Sequence, residues 1–105
     1  MIGGKTYLQP FSMVMNAILD VGGLQKGEIT YSDSTTGKVG FRIELYGEEI
    51  EYKFIVADTW SKCCVVTIEL ADEIINAQRL IKHEFALIDY ILTNKIKIKI
   101  TKQKE

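Results

Sequence analysis

The sequence is poor in the residues that usually mark a catalytic, metal-binding or secreted protein. Its 105 residues include one histidine, one tryptophan, one proline and two cysteines. The cysteines are adjacent, Cys63 and Cys64, so they provide no disulfide framework. In a strand their side chains would point to opposite faces, which prevents both from binding one metal ion. We expect a buried Cys64 and a half-exposed Cys63 whose redox activity stays open, and no metal, no cofactor and no enzymatic activity.

Long apolar runs are missing as well. None approaches the roughly 20 residues needed to cross a bilayer, and the first residues lack the charged and apolar regions of a secretory signal. Hydrophobic residues make up 47% of the chain and charged residues 26%, which is the balance of a globular protein. The sequence predicts one domain over residues 1–105, located in the cytoplasm and without membrane contact.

Charge is unevenly distributed along the chain. The net charge is −1, but residues 95–105 carry +4 and the rest carries −5. A broad phosphate-binding surface works by concentrating positive charge, so a mildly acidic body argues against one. A role in nucleic-acid binding would depend on the lysines near the end of the chain.

The periodicity of apolar residues predicts an α+β fold. A short N-terminal helix begins at Pro10 and is expected to stop at Gly22 and Gly23. A period of two then predicts a four-stranded antiparallel β-meander, with strands at residues 28–32, 38–45, 49–57 and 62–70. A long C-terminal helix follows, from about Asp72 to Thr93.

One hairpin suggests a detailed register. Gly47 followed by Glu48 is typical of a two-residue type II′ turn. This turn would place Leu45 opposite Ile50 and would gather the apolar side chains of both strands on one face. The opposite face of the last two strands is half apolar, with Ile55 and Val65 among its residues, so either the first helix or another subunit is expected to cover it.

The end of the chain alternates lysine and isoleucine from Lys95 to Ile100. A strict period of two favours a short Lys/Ile-alternating edge strand over residues 95–101, with the lysines facing outward. The other interpretation is a basic arm.

Several residues are candidates for a site. His83, the only histidine, is interpreted as a surface residue, and Glu48, Glu49 and Glu51 as a solvated turn. Trp60 could close the core or form a contact. The wide apolar arc of the last helix suggests a second contact beyond the sheet. The candidate partner-binding residues are Trp60, Val65, Leu80, Leu87, Ile91, Lys95, Lys97 and Lys99.

The order of four strands followed by a helix, over residues 26–93, resembles the unit of the Whirly and PUR group of single-stranded nucleic-acid-binding proteins. That resemblance implies a dimer that binds on a basic, aromatic sheet face, but no residue of this sequence matches a motif of the group. The sequence therefore predicts a small non-enzymatic binding or adaptor protein that acts through protein contacts and self-associates as a homodimer. Single-stranded nucleic-acid binding is the alternative.

Overall fold

The chain folds into one five-stranded antiparallel sheet and two helices. The computed structural model describes residues 2–45, 47–60, 62–70 and 76–104, and for residues 60 and 95–104 it describes the backbone alone. In chain order the elements are β1 (Ile2–Tyr7), α1 (Phe11–Leu24), β2 (Glu28–Asp33), β3 (Lys38–Leu45), β4 (Glu48–Trp60), β5 (Cys63–Leu70) and α2 (Ala77–Lys104).

The predicted four-stranded meander is confirmed as β2 to β5, and the sheet contains one strand more. The strand order is β1-β5-β4-β3-β2, so α1 carries the chain from one edge of the sheet to the other. The sequence pattern missed β1 because its two glycines interrupt any alternation of apolar residues. A Cβ at Gly3 would lie 2.6 Å from Ile81 Cγ2, so the glycine allows α2 to approach this edge.

Both helices pack on the same face of the sheet, which we call the inner face. Gly22 of α1 lies against the ring of Phe41, and Gly3, next to Ile81 of α2, also lies near Ile68. The opposite face, the outer face, carries neither helix. Of the two covers expected for this half-apolar face, α1 is therefore excluded and another subunit stays a prediction. The helices instead enclose the core. Its largest fully buried apolar side chains are Phe41, Phe54, Ile18, Ile68 and Ile88.

Helix α1 does not stop at its glycines. It begins after Pro10, as predicted, and continues through Gly22 and Gly23 to Leu24. A Cβ at Gly22 would lie 2.5 Å from Phe41 Cε1, so here the missing side chain permits close packing of helix on sheet. Tertiary packing thus outweighs the low helix propensity of glycine.

The predicted β3–β4 register is wrong by two residues. Leu45 pairs with Glu48, and Ile43 rather than Leu45 pairs with Ile50. Gly47, directly before β4, has a φ of 79°, which glycine adopts without strain. Because the error is an even number of residues, the apolar side chains still share one face.

The edge strand predicted for residues 95–101 is also wrong, because α2 continues through them to Lys104. An established helix extends at the cost of ordering one residue for each new hydrogen bond, whereas a separate strand would need a sheet edge to pair with. Lysine is also a good helix former. The start predicted at Asp72 and Glu73 lies outside the described residues. None of the helices in the described part of the chain is long and apolar enough to cross a membrane.

Candidate functional site

A carboxylate is buried in the core. Glu84 lies on α2 between Leu80 and Ile88, one turn from each, and its exposed fraction is 0%. Residues four apart lie on the same side of a helix, so Glu84 faces the sheet with its apolar neighbours. It is the one charged residue that is buried in the described part of the chain. Charged side chains are almost never fully buried unless paired, which makes Glu84 the first candidate for function.

Two neutral groups donate hydrogen bonds to this carboxylate. The hydroxyl of Tyr52, from the inner face of β4, donates to Glu84 Oε1 in a short hydrogen bond. The amide of Gln25, directly after α1, places Nε2 3.0 Å from Oε1 and 2.9 Å from Oε2 of Glu84. The same nitrogen lies 3.2 Å from the Tyr52 hydroxyl oxygen. We call Glu84, Tyr52 and Gln25 the carboxylate cluster.

Aromatic rings surround one side of the carboxylate cluster. The rings of Phe41, Tyr52 and Phe54 contact one another in pairs, with centroids 5.7 to 5.8 Å apart and tilted or edge-to-face geometry. All three side chains are buried. Tyr52 thus belongs to both groups, its ring to the aromatic packing and its hydroxyl to Glu84. The site combines a large apolar surface with one charged group.

Burial governs the electrostatics of the carboxylate cluster. It raises the pKa of Glu84, while the donors Tyr52 and Gln25 and the nearby His83 offset part of that effect. Burial, followed by the charge of Glu84, raises the pKa of the Tyr52 hydroxyl. Among the ion pairs of the described residues, none joins a lysine or an arginine to Glu84. Among the described residues, the carboxylate is therefore desolvated without a lysine or arginine partner.

A second buried hydroxyl lies where β1 meets α2. Tyr7 is buried, and within the described residues its hydroxyl forms no hydrogen bond of ordinary geometry. Burial, and then the Asp89 carboxylate, raise its pKa. Lys5 forms an exposed ion pair with Asp89 at 2.5 Å, and its Nζ lies 5.4 Å from the centre of the Tyr7 ring. In contrast to Glu84, Asp89 therefore has a cation beside it.

The outer face is built differently. Arg42 pairs with Glu51 and with Glu28, at 2.5 and 3.1 Å, and Lys53 pairs with Glu69 at 3.1 Å. A shallow hollow of about 340 Å³, bordered by Tyr31, Lys53 and Glu69 among others, lies across these strands.

Four of the predicted partner-binding residues have side chains that the structure describes, one on the outer face and three on α2. Val65 lies half-buried on the outer face. Leu80 and Ile91 are buried in the core at 4% and 7% exposure, and Leu87 is partly buried against it. Since α2 contacts both α1 and β1, the wide apolar arc of α2 has neighbours within the chain.

The remaining predicted site residues lie where the structure describes the backbone alone. Trp60 ends β4, and Lys95, Lys97 and Lys99 belong to α2. Their side chains are outside the described part of the structure, so partner binding through them stays a prediction. Nucleic-acid binding through the lysines, homodimer formation and a cytoplasmic location stay predictions as well.

The minor candidates agree with their simplest interpretations. His83 is exposed, Cys64 is buried and Cys63 is half-buried, as predicted. Glu48, Glu49 and Glu51 are exposed, as predicted, but they lie in β4 rather than in the turn. In the described ranges, no three His, Cys, Asp or Glu side chains are grouped so that they could hold a metal ion.

Sequence reasoning missed Glu84 and Gln25. The signal for Glu84 was a charged residue within an apolar row, four residues after Leu80 and four before Ile88. Gln25 gave no such signal, because the residue that follows a helix is often polar. Tyr52 is one of the alternating side chains of β4 that the pattern places on a common face, but the partner of its hydroxyl comes from a distant segment.

Comparison with known proteins identifies the fold. No protein-family model and no curated protein matches the sequence. The structure is similar to the di-domain ARO/CYC StfQ from the steffimycin biosynthetic pathway, with a TM-score of 0.63, 10% identity, and coverage of 90% of this chain and 43% of that one. It is also similar to Ara h 8.0201, with a TM-score of 0.57, 13% identity, and coverage of 92% and 97%. The chain thus spans less than half of StfQ, and it shares with both proteins an α+β fold built on an antiparallel sheet.

Proposed function

We propose that this protein is a non-enzymatic binding protein that takes up a small, largely apolar ligand between the inner face of the sheet and the two helices. The observation that carries the proposal is the carboxylate cluster. Glu84 is fully buried and has only neutral hydrogen-bond donors, an arrangement that costs free energy of several kcal/mol in a typical protein interior. Perturbed titratable groups of this kind concentrate at functional sites.

The surroundings suit an apolar ligand with one polar group. Small-molecule sites are mostly apolar and contain a few polar groups that fix the orientation of the ligand. Here the rings of Phe41 and Phe54 pack against the ring of Tyr52, whose hydroxyl donates to a single carboxylate. The similarity to StfQ and Ara h 8.0201 supports the fold of this scaffold, and the proposal for the site depends on the residues of this chain.

The test is a titration followed residue by residue by NMR. Naphthylmethanol is a suitable neutral and apolar probe. We expect its addition to shift the signals of Tyr52, Gln25 and Ile88 while leaving the outer-face residues Lys53 and Val65 unchanged. Shifts confined to the outer face, or no binding at millimolar concentration, would contradict the proposal.

Self-association through the outer face is a second candidate function. It is supported by the half-buried apolar side chains of Ile55 and Val65 on a face that neither helix covers. Light scattering after size-exclusion chromatography, at micromolar concentration, should then give the mass of a dimer. A Val65→Lys variant should give the mass of a monomer, and a monomer in the wild-type protein would rule this candidate out.

A further inference from the structure

One nitrogen atom in the carboxylate cluster lies among three oxygens. Gln25 Nε2 is 2.9 Å and 3.0 Å from the two oxygens of Glu84 and 3.2 Å from the hydroxyl oxygen of Tyr52. Because the Tyr52 hydroxyl donates its own hydrogen to Glu84, its oxygen is free to accept another. All three oxygens therefore act as acceptors toward the same point.

An amide does not fill this position fully. The amide group of Gln25 has two hydrogens and no charge, whereas a primary ammonium group has three hydrogens and a positive charge. Three acceptor oxygens match the ammonium group better on both counts, because two of them belong to a carboxylate that has no lysine or arginine partner among the described residues. Hydrogen bonds between ionised partners are also roughly twice as strong as neutral ones.

Gln25 is placed so that it could be displaced. It is half-buried, while Glu84 beyond it is fully buried, so Gln25 lies between the carboxylate and solvent. It follows directly after the last turn of α1, which contains Gly22 and Gly23. Gly22 packs on Phe41, but Gly23 is exposed and a Cβ there would meet nothing within 4 Å. Glycine destabilises a helix interior by about 1 kcal/mol relative to alanine, which lowers the cost of opening this end of α1.

We infer that the position held by Gln25 Nε2 is the recognition point for the primary ammonium group of an apolar amine, with Gln25 occupying that point in the free protein. The inference rests on the proposed function and specifies its ligand class. Glu84 and Tyr52 bind the ammonium group, and Gln25 acts as an internal competitor that leaves when the amine enters.

Calorimetry with three probes that share one ring system tests this inference. The probes are naphthylmethylamine, naphthylmethanol and naphthoate, measured at neutral pH. We expect the wild-type protein to prefer the amine over the alcohol by about tenfold or more, and to bind the anion most weakly. Gln25→Ala should raise the affinity for the amine, and Gln25→Ser provides the same test if the alanine variant does not fold. Glu84→Gln should abolish the preference for the amine.

A control variant separates site chemistry from overall charge. Glu44 is exposed on β3, and Glu44→Gln changes the net charge as Glu84→Gln does, so it should leave the preference for the amine intact. Equal binding of amine and alcohol by the wild-type protein would overturn the inference while the proposed function stands. Binding of none of the three probes would overturn both.

Discussion

The two faces of the sheet differ in how their charged side chains are placed and paired. On the outer face, Arg42 and Lys53 are exposed to solvent and paired with carboxylates of neighbouring strands. On the inner face, Glu84 is buried and paired with a hydroxyl and an amide. Exposed pairs form at little cost and contribute little, whereas a buried carboxylate must recover its desolvation cost from its neighbours.

The charged residues of the two faces therefore have different roles. The ion pairs of the outer face keep that face hydrated. Stability gives no reason for a carboxylate at position 84, because a leucine or a methionine there would continue the apolar row of α2. Binding of a cationic group would supply the missing partner.

The largest expected effect compares two consecutive residues of β4. Phe54→Ala on the inner face should lower the free energy of unfolding by about 3 to 5 kcal/mol, because it leaves a cavity in the core. Ile55→Ala on the outer face should cost clearly less, since that side chain is only half-buried. Urea unfolding measures both. Equal losses would mean that the outer face is also a packed interface.

Glu84→Gln should stabilise the free protein at neutral pH. The raised pKa of Glu84 means that the contribution of this group to stability is fully present below its ordinary pKa of 4.5 and is lost as the pH rises through the folded-state pKa. The variant lacks this loss, and Gln25 can rotate its amide to keep both hydrogen bonds. Removing a buried charge avoids its desolvation cost, so we expect a gain on the order of 1 kcal/mol or more. Unfolding curves at several pH values measure the free energy of unfolding of both proteins. If the variant kept the pH dependence of the wild type, the raised pKa assigned to Glu84 would be contradicted.

Tyr52→Phe removes one donor to Glu84 and keeps the ring. We expect a loss of about 1 to 3 kcal/mol at neutral pH, because one carboxylate oxygen loses a hydrogen bond in a buried site. Tyr7→Phe is the matched control. Its hydroxyl is buried but forms no hydrogen bond of ordinary geometry with the described residues, so this variant should cost less. Thermal unfolding of the two variants side by side distinguishes them.

The smallest effect is expected on the outer face. Lys53→Ala breaks the exposed pair with Glu69 and should change the unfolding midpoint least among these variants. The change should vanish in about 1 M salt, where charges are screened beyond about 3 Å. A larger change that persists in salt would show that the pair is not merely a surface contact.

Local patterns predicted much of the sheet and little of the site. The bounds of β3 agree with the prediction because strict alternation with one buried face leaves few other solutions. The alternation of lysine and isoleucine at the end of the chain led to the wrong prediction of an edge strand. A period of two does not decide the structure of a segment that can continue an existing helix. The carboxylate cluster joins residues 25, 52 and 84, which meet only when α1, β4 and α2 are packed together. That meeting depends on tertiary structure, which a single sequence does not display.

The protonation state of the Glu84 carboxyl group is central to the proposed site. Following the NMR signal of the Glu84 carboxyl carbon against pH, with and without naphthylmethylamine, tests it directly. We expect a pKa above the ordinary carboxyl range in the free protein, and a clear decrease when the amine is bound, because a nearby cation favours the ionised form. An ordinary pKa in the free protein, or a pKa that the bound amine leaves unchanged, would contradict the claim that Glu84 is held in the core to recognise a cation.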